Sequence, residues 1–201
     1  MIPLATPLAI VLLLSTLGVT IALIALHVLP TGLSPRRDPV SQYALTKYAV
    51  GYRIATLAAA VAGASAAVLI ATTLEGTAST IAVILLAVFA LSRLLIGFFP
   101  MDAPDATKTG TGRTHNLLAF AAFGSLTAAA FVVAGAFHDA GFADLSTLST
   151  ALGVVMAVGA VGLFLAARIP RLHAWFGAAE RVIYVGFIVW FAAIAITTLA
   201  G

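Results

Sequence analysis

Cysteine is absent from the 201-residue chain, which excludes disulfides, thiolate metal ligands and cysteine nucleophiles and leaves the redox compartment open. Charge is scarce too. Only 8% of residues are charged, against about a quarter in an ordinary soluble domain, so water cannot be the main solvent of this chain. The 62% hydrophobic content and mean hydropathy of +1.15 point to hydrocarbon instead. A third scarcity is positional: Lys and Arg are missing from two of the five links between apolar blocks. The isoelectric point near 9.7 would indicate nucleic acid in a soluble protein. Here the net charge is only +3 and the cations lie in short links beside apolar segments. They read as orientation signals or anion contacts, with no nucleic-acid partner.

The apolar residues come in blocks of roughly twenty, about the length a helix needs to span a bilayer. They run over 8–29, 52–73, 80–98, 115–137, 145–167 and 178–199. The first block has no Lys or Arg before it and exceeds a signal-peptide core, so it is kept as a helix. The fold class is an all-α integral membrane protein, a six-transmembrane-helix bundle forming one domain over 1–201, multi-pass in the cell membrane. Ala58, Ala62 and Ala66, Ala119 and Ala122, and Gly153, Ala157 and Ala160 recur at helical spacing. Such small residues let helices approach closely within lipid. No internal repeat is evident, so the inverted halves of many transporters are not indicated. An even number of crossings places both termini on one side. Positive-inside bias puts them outside, because every Lys and Arg belongs to the links after helices one, three and five or to the helix ends beside them.

That basic end holds nearly all of the chemistry. After helix one, Asp38 and Pro39 form a cap and first-turn pair that predicts a short interfacial helix to about residue 50. Ser41 and Tyr43 lie on it, and Tyr48 and Lys47 are expected at headgroup level. Arg93 lies deep enough in helix three that it either snorkels or meets an acid inside the bundle; Glu180 is the first expected partner. Lys108, Gly110, Gly112 and Arg113 before helix four could cradle an anion on free backbone N–H groups, although the G-x-G spacing is not that of a P-loop. A helix starting near Arg171 would place His173, Gly177, Glu180 and Tyr184 on one polar stripe. Adjacent Glu180 and Arg181 point about 100° apart, so each needs its own partner. His27, His115, His173 and Asp102 form an acceptable zinc ligand set, but no metalloprotease-like spacing accompanies them and no cofactor is expected.

In order, Asp-Pro-Val-Ser-Gln-Tyr from Asp38, Phe-Phe-Pro-Met-Asp ending at Asp102, Thr-His at His115 and Glu-Arg at Glu180 resemble a family of small bacterial six-helix membrane proteins, domain of unknown function 998. The resemblance covers nearly the whole chain. It implies that Ser41, Tyr43, Asp102, His115, Glu180 and Arg181 occupy the family's motif positions. Relatives often carry Glu where this chain has Gln42, which implies that a carboxylate there is not essential. Many relatives also begin with basic residues, which implies the opposite orientation, with the motif face outside.

Three functions compete. The first expectation is a binding protein for a lipid headgroup or other anionic amphiphile, with Arg93, Tyr43, Arg181, His173, Lys108 and Arg113 as binding residues. The second is a lipid-processing, hydrolase-like enzyme, with Asp102 and His115 as acid–base pair, Ser41 as nucleophile and Glu180 in support. The third is a small transporter or a subunit of a membrane complex, and a homo-oligomer is also compatible. Arg93, Asp102, His115 and Glu180 are expected to meet in one cavity on the basic face, with Ser41 or Tyr43 at its rim.

Overall fold

Each apolar block forms a helix in the computed structural model, which describes residues 4–201. The helices are α1 (Ala5–Val28), α2 (Ala49–Thr73), α3 (Gly76–Ile96), α4 (Gly110–Asp139), α5 (Ala143–Arg168) and α6 (Phe176–Ala200). All six are long and apolar enough to cross a membrane, and no strand occurs among the described residues. The chain is an all-α, multi-pass membrane protein.

Every helix packs against its neighbours in sequence, and α6 returns to α1, so the six close into a ring. Aromatic residues fill its centre: Phe89 of α3 meets Phe187 and Phe191 of α6, with ring centroids 5.9 and 5.8 Å away. The outer surface is apolar, with Ile21, Ile84, Phe120 and Val185 all exposed. A soluble protein rarely shows such a surface. Polar residues turn inward instead. Trp190 donates to Ser149 Oγ at 2.8 Å and Ser149 donates on to the Ala130 carbonyl at 2.8 Å, which ties α6, α5 and α4 together.

The small-residue stripes serve close packing, as their spacing predicts. Ala62, Ala66, Ala122 and Gly153 are buried. A side chain at Gly159 would come within 2.9 Å of the Ala179 carbonyl, so α5 and α6 touch backbone to backbone.

The links on the acidic end, with Glu75 after α2 and Asp139 and Asp144 flanking the turn after α4, are short because a glycine turns each one. Gly76 (φ 92°) starts α3 and Gly141 (φ 86°) follows α4, both in the left-handed region that suits glycine. On the basic end the sequence reading needs three corrections. The interfacial helix is a six-residue 3₁₀ segment, Val40–Leu45, because its expected cap faces the other way. Asp38 accepts from the Ser34 N–H at 2.7 Å rather than from the residues after it. With no cap to nucleate a longer helix, 3₁₀ bonds suffice. Secondly, α4 starts five residues before His115, with Thr109 as N-cap accepting from the Gly112 N–H at 3.0 Å. His115 is therefore in the second turn, beyond the strongest influence of the helix end. Thirdly, Pro170–Trp175 is a separate 3₁₀ segment rather than the start of α6.

Candidate functional site

The segment after α1 crosses the basic end of the ring as a strap and docks on the first turns of α6. Helices begin with unpaired N–H groups, and the strap supplies acceptors for two of those in α6. The Gly177 N–H donates to the Arg37 carbonyl at 3.2 Å and the Ala178 N–H to the Arg36 carbonyl at 2.8 Å. A Cβ on Gly177 would run into the carbonyls of Asp38 and Pro35. Only glycine permits this approach.

Glu180 and Arg181 complete the junction. Glu180 Oε2 accepts from the Val40 N–H at 2.7 Å. Arg181 spreads its guanidinium over four partners: Nε donates to His27 Nε2 of α1 (2.7 Å), Nη1 to the carbonyls of Asp38 and Gly177 (both 2.9 Å), and Nη2 to the Tyr43 hydroxyl (3.4 Å). Because arginine only donates, His27 must accept through Nε2; its Nδ1 then donates to the Leu23 carbonyl. As anticipated, the two adjacent charges have separate partners. Glu180, however, is held by strap backbone rather than by a helix. At the strap's bend, burial pushes the Asp38 carboxyl up, but the Ser34 N–H, Arg37 and Arg181 outweigh it and hold the group below its usual range.

Beside this junction lies a cavity of about 480 Å³ between α4 and α5. Those helices are fastened nearer the acidic end, where Ser146 donates to the Ala134 carbonyl and Gly153 lies against Phe131. Toward the basic end the cavity lies between them. Its body is apolar, formed by residues such as Ala119, Phe120, Phe123, Leu163 and Phe164. Phe120 and Phe164 are exposed on the membrane-facing surface, so the cavity opens sideways. Its polar end gathers Ser41, His115 and Glu180, with the exposed Arg168 at the mouth.

His115 and Glu180 are only 3% and 6% exposed, yet neither is fully paired within the protein. His115 Nδ1 bonds the Phe99 carbonyl at 2.7 Å, and Nε2 has no protein partner. One Glu180 oxygen likewise has none beyond the bond to Val40. Ser41 donates to Met101 Sδ at 3.1 Å rather than to a base, so it is not set up as an activated nucleophile.

The expected four-residue cluster forms only in part. Arg93 is buried, at 1% exposure, but its partner is the Tyr184 hydroxyl (2.8 Å), not Glu180. Among the described residues the one ion pair is Arg37 with Asp38. Tyr184 does lie on the predicted stripe with Gly177 and Glu180, and all three are buried. His173 is exposed and leaves the stripe because the 3₁₀ segment before α6 turns about 120° per residue, not 100°. Tyr43 is buried under Arg181 rather than placed at a rim.

Asp102 also has a different use. Its Oδ1 accepts from the Thr109 hydroxyl at 2.6 Å and its Oδ2 from the Thr109 N–H at 3.1 Å. A Cβ on Gly112 would collide with that carboxylate, so the expected anion cradle is occupied by the protein's own acid. Lys108 and Arg113 are exposed beside it. Asp102 and His115, expected as an acid–base pair, share no hydrogen bond: one is committed to Thr109 and the other to the Phe99 carbonyl. Nor do His27, His115, His173 and Asp102 gather: no group of three or more metal-ligating side chains of suitable type comes together among the described residues.

The Thr109 hydroxyl and N–H hold the Asp102 carboxyl below its ordinary value of 3.8. A carboxylate with a depressed folded pKa stabilises fully above its unfolded value and loses that effect as pH falls through the folded one. Amide protection at Thr109 and Gly112 should hold from neutral pH down to about pH 4 and weaken below it. Hydrogen-exchange mass spectrometry in detergent reads this; loss of protection between pH 7 and 5 would contradict the latch.

Two participants carried little sequence signal. Met101 stood out only as part of Phe-Phe-Pro-Met-Asp, and Arg168 only as one of the cations that follow the fifth apolar block. No curated protein and no solved structure matches the chain. A family model matches residues 8–197, nearly the whole chain, and with it the chain belongs to the family described as Protein of unknown function (DUF998).

Proposed function

We propose that this protein binds a membrane amphiphile in the cavity between α4 and α5, with the tail against Phe120, Leu163 and Phe164 and the head at Ser41, His115 and Glu180. One observation carries the reading: a sideways-opening apolar cavity ends on two buried polar side chains that retain unused hydrogen-bonding capacity. The free atoms of Glu180 and His115 open on the cavity, whereas the fully enclosed unpaired side-chain atoms among the described residues are Gln42 Oε1 and Arg93 Nε. With neither water nor ligand in the cavity, each free atom would cost about 1–3 kcal/mol. A water-filled site would satisfy them equally well, but the apolar body would then face water at a cost proportional to its area. A ligand with one polar end satisfies both parts. The hydrolase reading gains less support, since Ser41 donates to sulfur and Asp102 is committed to Thr109.

Gly124 supplies the test. It lines the cavity, and nothing lies within 4 Å of where its side chain would begin. Gly124→Trp should therefore fill the cavity without disturbing the helix, which gains about 0.5 kcal/mol from exchanging glycine for tryptophan. Lipid retained after detergent exchange, measured by native mass spectrometry, should fall about tenfold or more, equivalent to 1.4 kcal/mol. The melting temperature should not fall. Unchanged lipid retention in a folded Gly124→Trp variant would refute the proposal.

A further inference from the structure

We infer that the occupant is a polyol-headed lipid: vicinal hydroxyls donate to Glu180 and His115, and the phosphodiester or ester next to them meets Arg168. This rests on the amphiphile reading above and adds the chemical class of the head.

With Glu180 ionised, the buried polar wall consists of acceptors, and the exposed Asn116 amide is a further polar side chain of the lining. The free Glu180 oxygen accepts when the carboxylate is ionised. With Nδ1–H donating to the Phe99 carbonyl, the neutral His115 ring offers a lone pair at Nε2. The one hydroxyl nearby, Ser41, already spends its proton on Met101 Sδ. A phosphate monoester placed this deep would set its oxygens against a carboxylate and a ring lone pair. An ammonium head could donate to Glu180, but its charge is unwelcome: Arg181 adjoins Glu180 in sequence, Arg93 is buried behind it on Tyr184, and Arg168 stands at the mouth. Hydroxyls bring donors without a charge. They suit acceptors that already have cations close by.

Arg168 suits the other part of the head. Its guanidinium sits over the Phe164 ring, 5.0 Å from the centroid, so it is held along the cavity's side. It is exposed there at the headgroup level, where a phosphodiester or an ester carbonyl would lie once the hydroxyls are seated deeper. A glycerol head satisfies both requirements, and it occurs in anionic and neutral lipids alike.

Purified protein in detergent can be offered an equimolar mixture of four probes with the same acyl chain: lysophosphatidylglycerol, monoacylglycerol, lysophosphatidylethanolamine and lysophosphatidic acid. Native mass spectrometry should show the two glycerol-headed probes bound at least about tenfold more than the other two. E180Q should remove that preference. The glutamine oxygen can still accept from Val40, which leaves its NH₂ donor facing the hydroxyls. R168Q should weaken lysophosphatidylglycerol more than monoacylglycerol, because only the former carries a full negative charge; the reverse would overturn the placement of the linkage at Arg168. Should all four probes bind wild type equally while Gly124→Trp weakens all of them, the head assignment falls and the amphiphile cavity stands. Preference for the ethanolamine or phosphatidic acid probe also overturns the assignment. If no probe binds, or Gly124→Trp changes nothing, the cavity reading itself falls.

Discussion

Arg181→Ala should destabilise the protein by about 3 kcal/mol, the largest loss expected from truncating one polar side chain. Hydrogen bonds to a charged group contribute about 1.5–3 kcal/mol each, and Arg181 makes four to three separate parts of the molecule. The sum is not additive, and partial exposure screens some of it. What remains is the cost of leaving His27 Nε2 and the Asp38 carbonyl without a donor. Arg181→Lys should recover less than half of the loss, because an ammonium on a flexible stem cannot match a planar fork aimed in three directions. Thermal unfolding in detergent provides the measurement. A lysine variant as stable as wild type would show that only the charge matters, and would contradict the clamp.

Gly177→Val should have an effect of similar size by a different cause. Its side chain would need the space of two backbone carbonyls, at Asp38 and Pro35, and backbone yields far less readily than a flexible side chain. The strap must lift, which breaks the bonds from the Gly177 and Ala178 N–H groups and draws Val40 away from Glu180. A loss of about 2–4 kcal/mol is expected, in the range of buried hydrogen bonds lost together with overpacking. Lipid retention should fall too, since Ser41 rides on the strap. Gly110→Ala offers the control: nothing surrounds its Cβ, so stability should change by less than about 1 kcal/mol. Equal melting temperatures for Gly177→Val and wild type would mean that the strap does not rest on α6 as described.

The helices were legible because membrane spans announce themselves by length and apolarity alone. Their ends on the basic side were less so. The Thr-Gly-rich run before His115 reads as a loop, yet a threonine cap and the brace from Asp102 make it the first turn of α4. Nothing local in the sequence says that the acid ten residues upstream of Gly112 fills the space over it. For the candidate site, spacing correctly grouped Gly177, Glu180 and Tyr184, because one helix carries all three. It failed for His173, where the backbone changes its turn angle. Partnerships across elements were the hardest to read. Arg93 was expected to find an acid, since charge pairing is the cheapest rule, and it found the phenol of Tyr184 instead. Tyrosine in an aromatic-rich span gives no sign that its hydroxyl is an acceptor for a buried cation.

The strap also sets an order of events during synthesis. Val40 and Glu180 are 140 positions apart, so five spans can emerge and meet the bilayer before the acceptor of that N–H exists. Until α6 arrives, the Val40 N–H and the carbonyls of Arg36, Arg37 and Asp38 have only water and lipid headgroups for partners, and the polar end of the cavity lacks one wall. Insertion of the sixth helix is thus the step that finishes the site. A chain halted before it would have five of its six spans in place and would lack Glu180 at the end of the cavity.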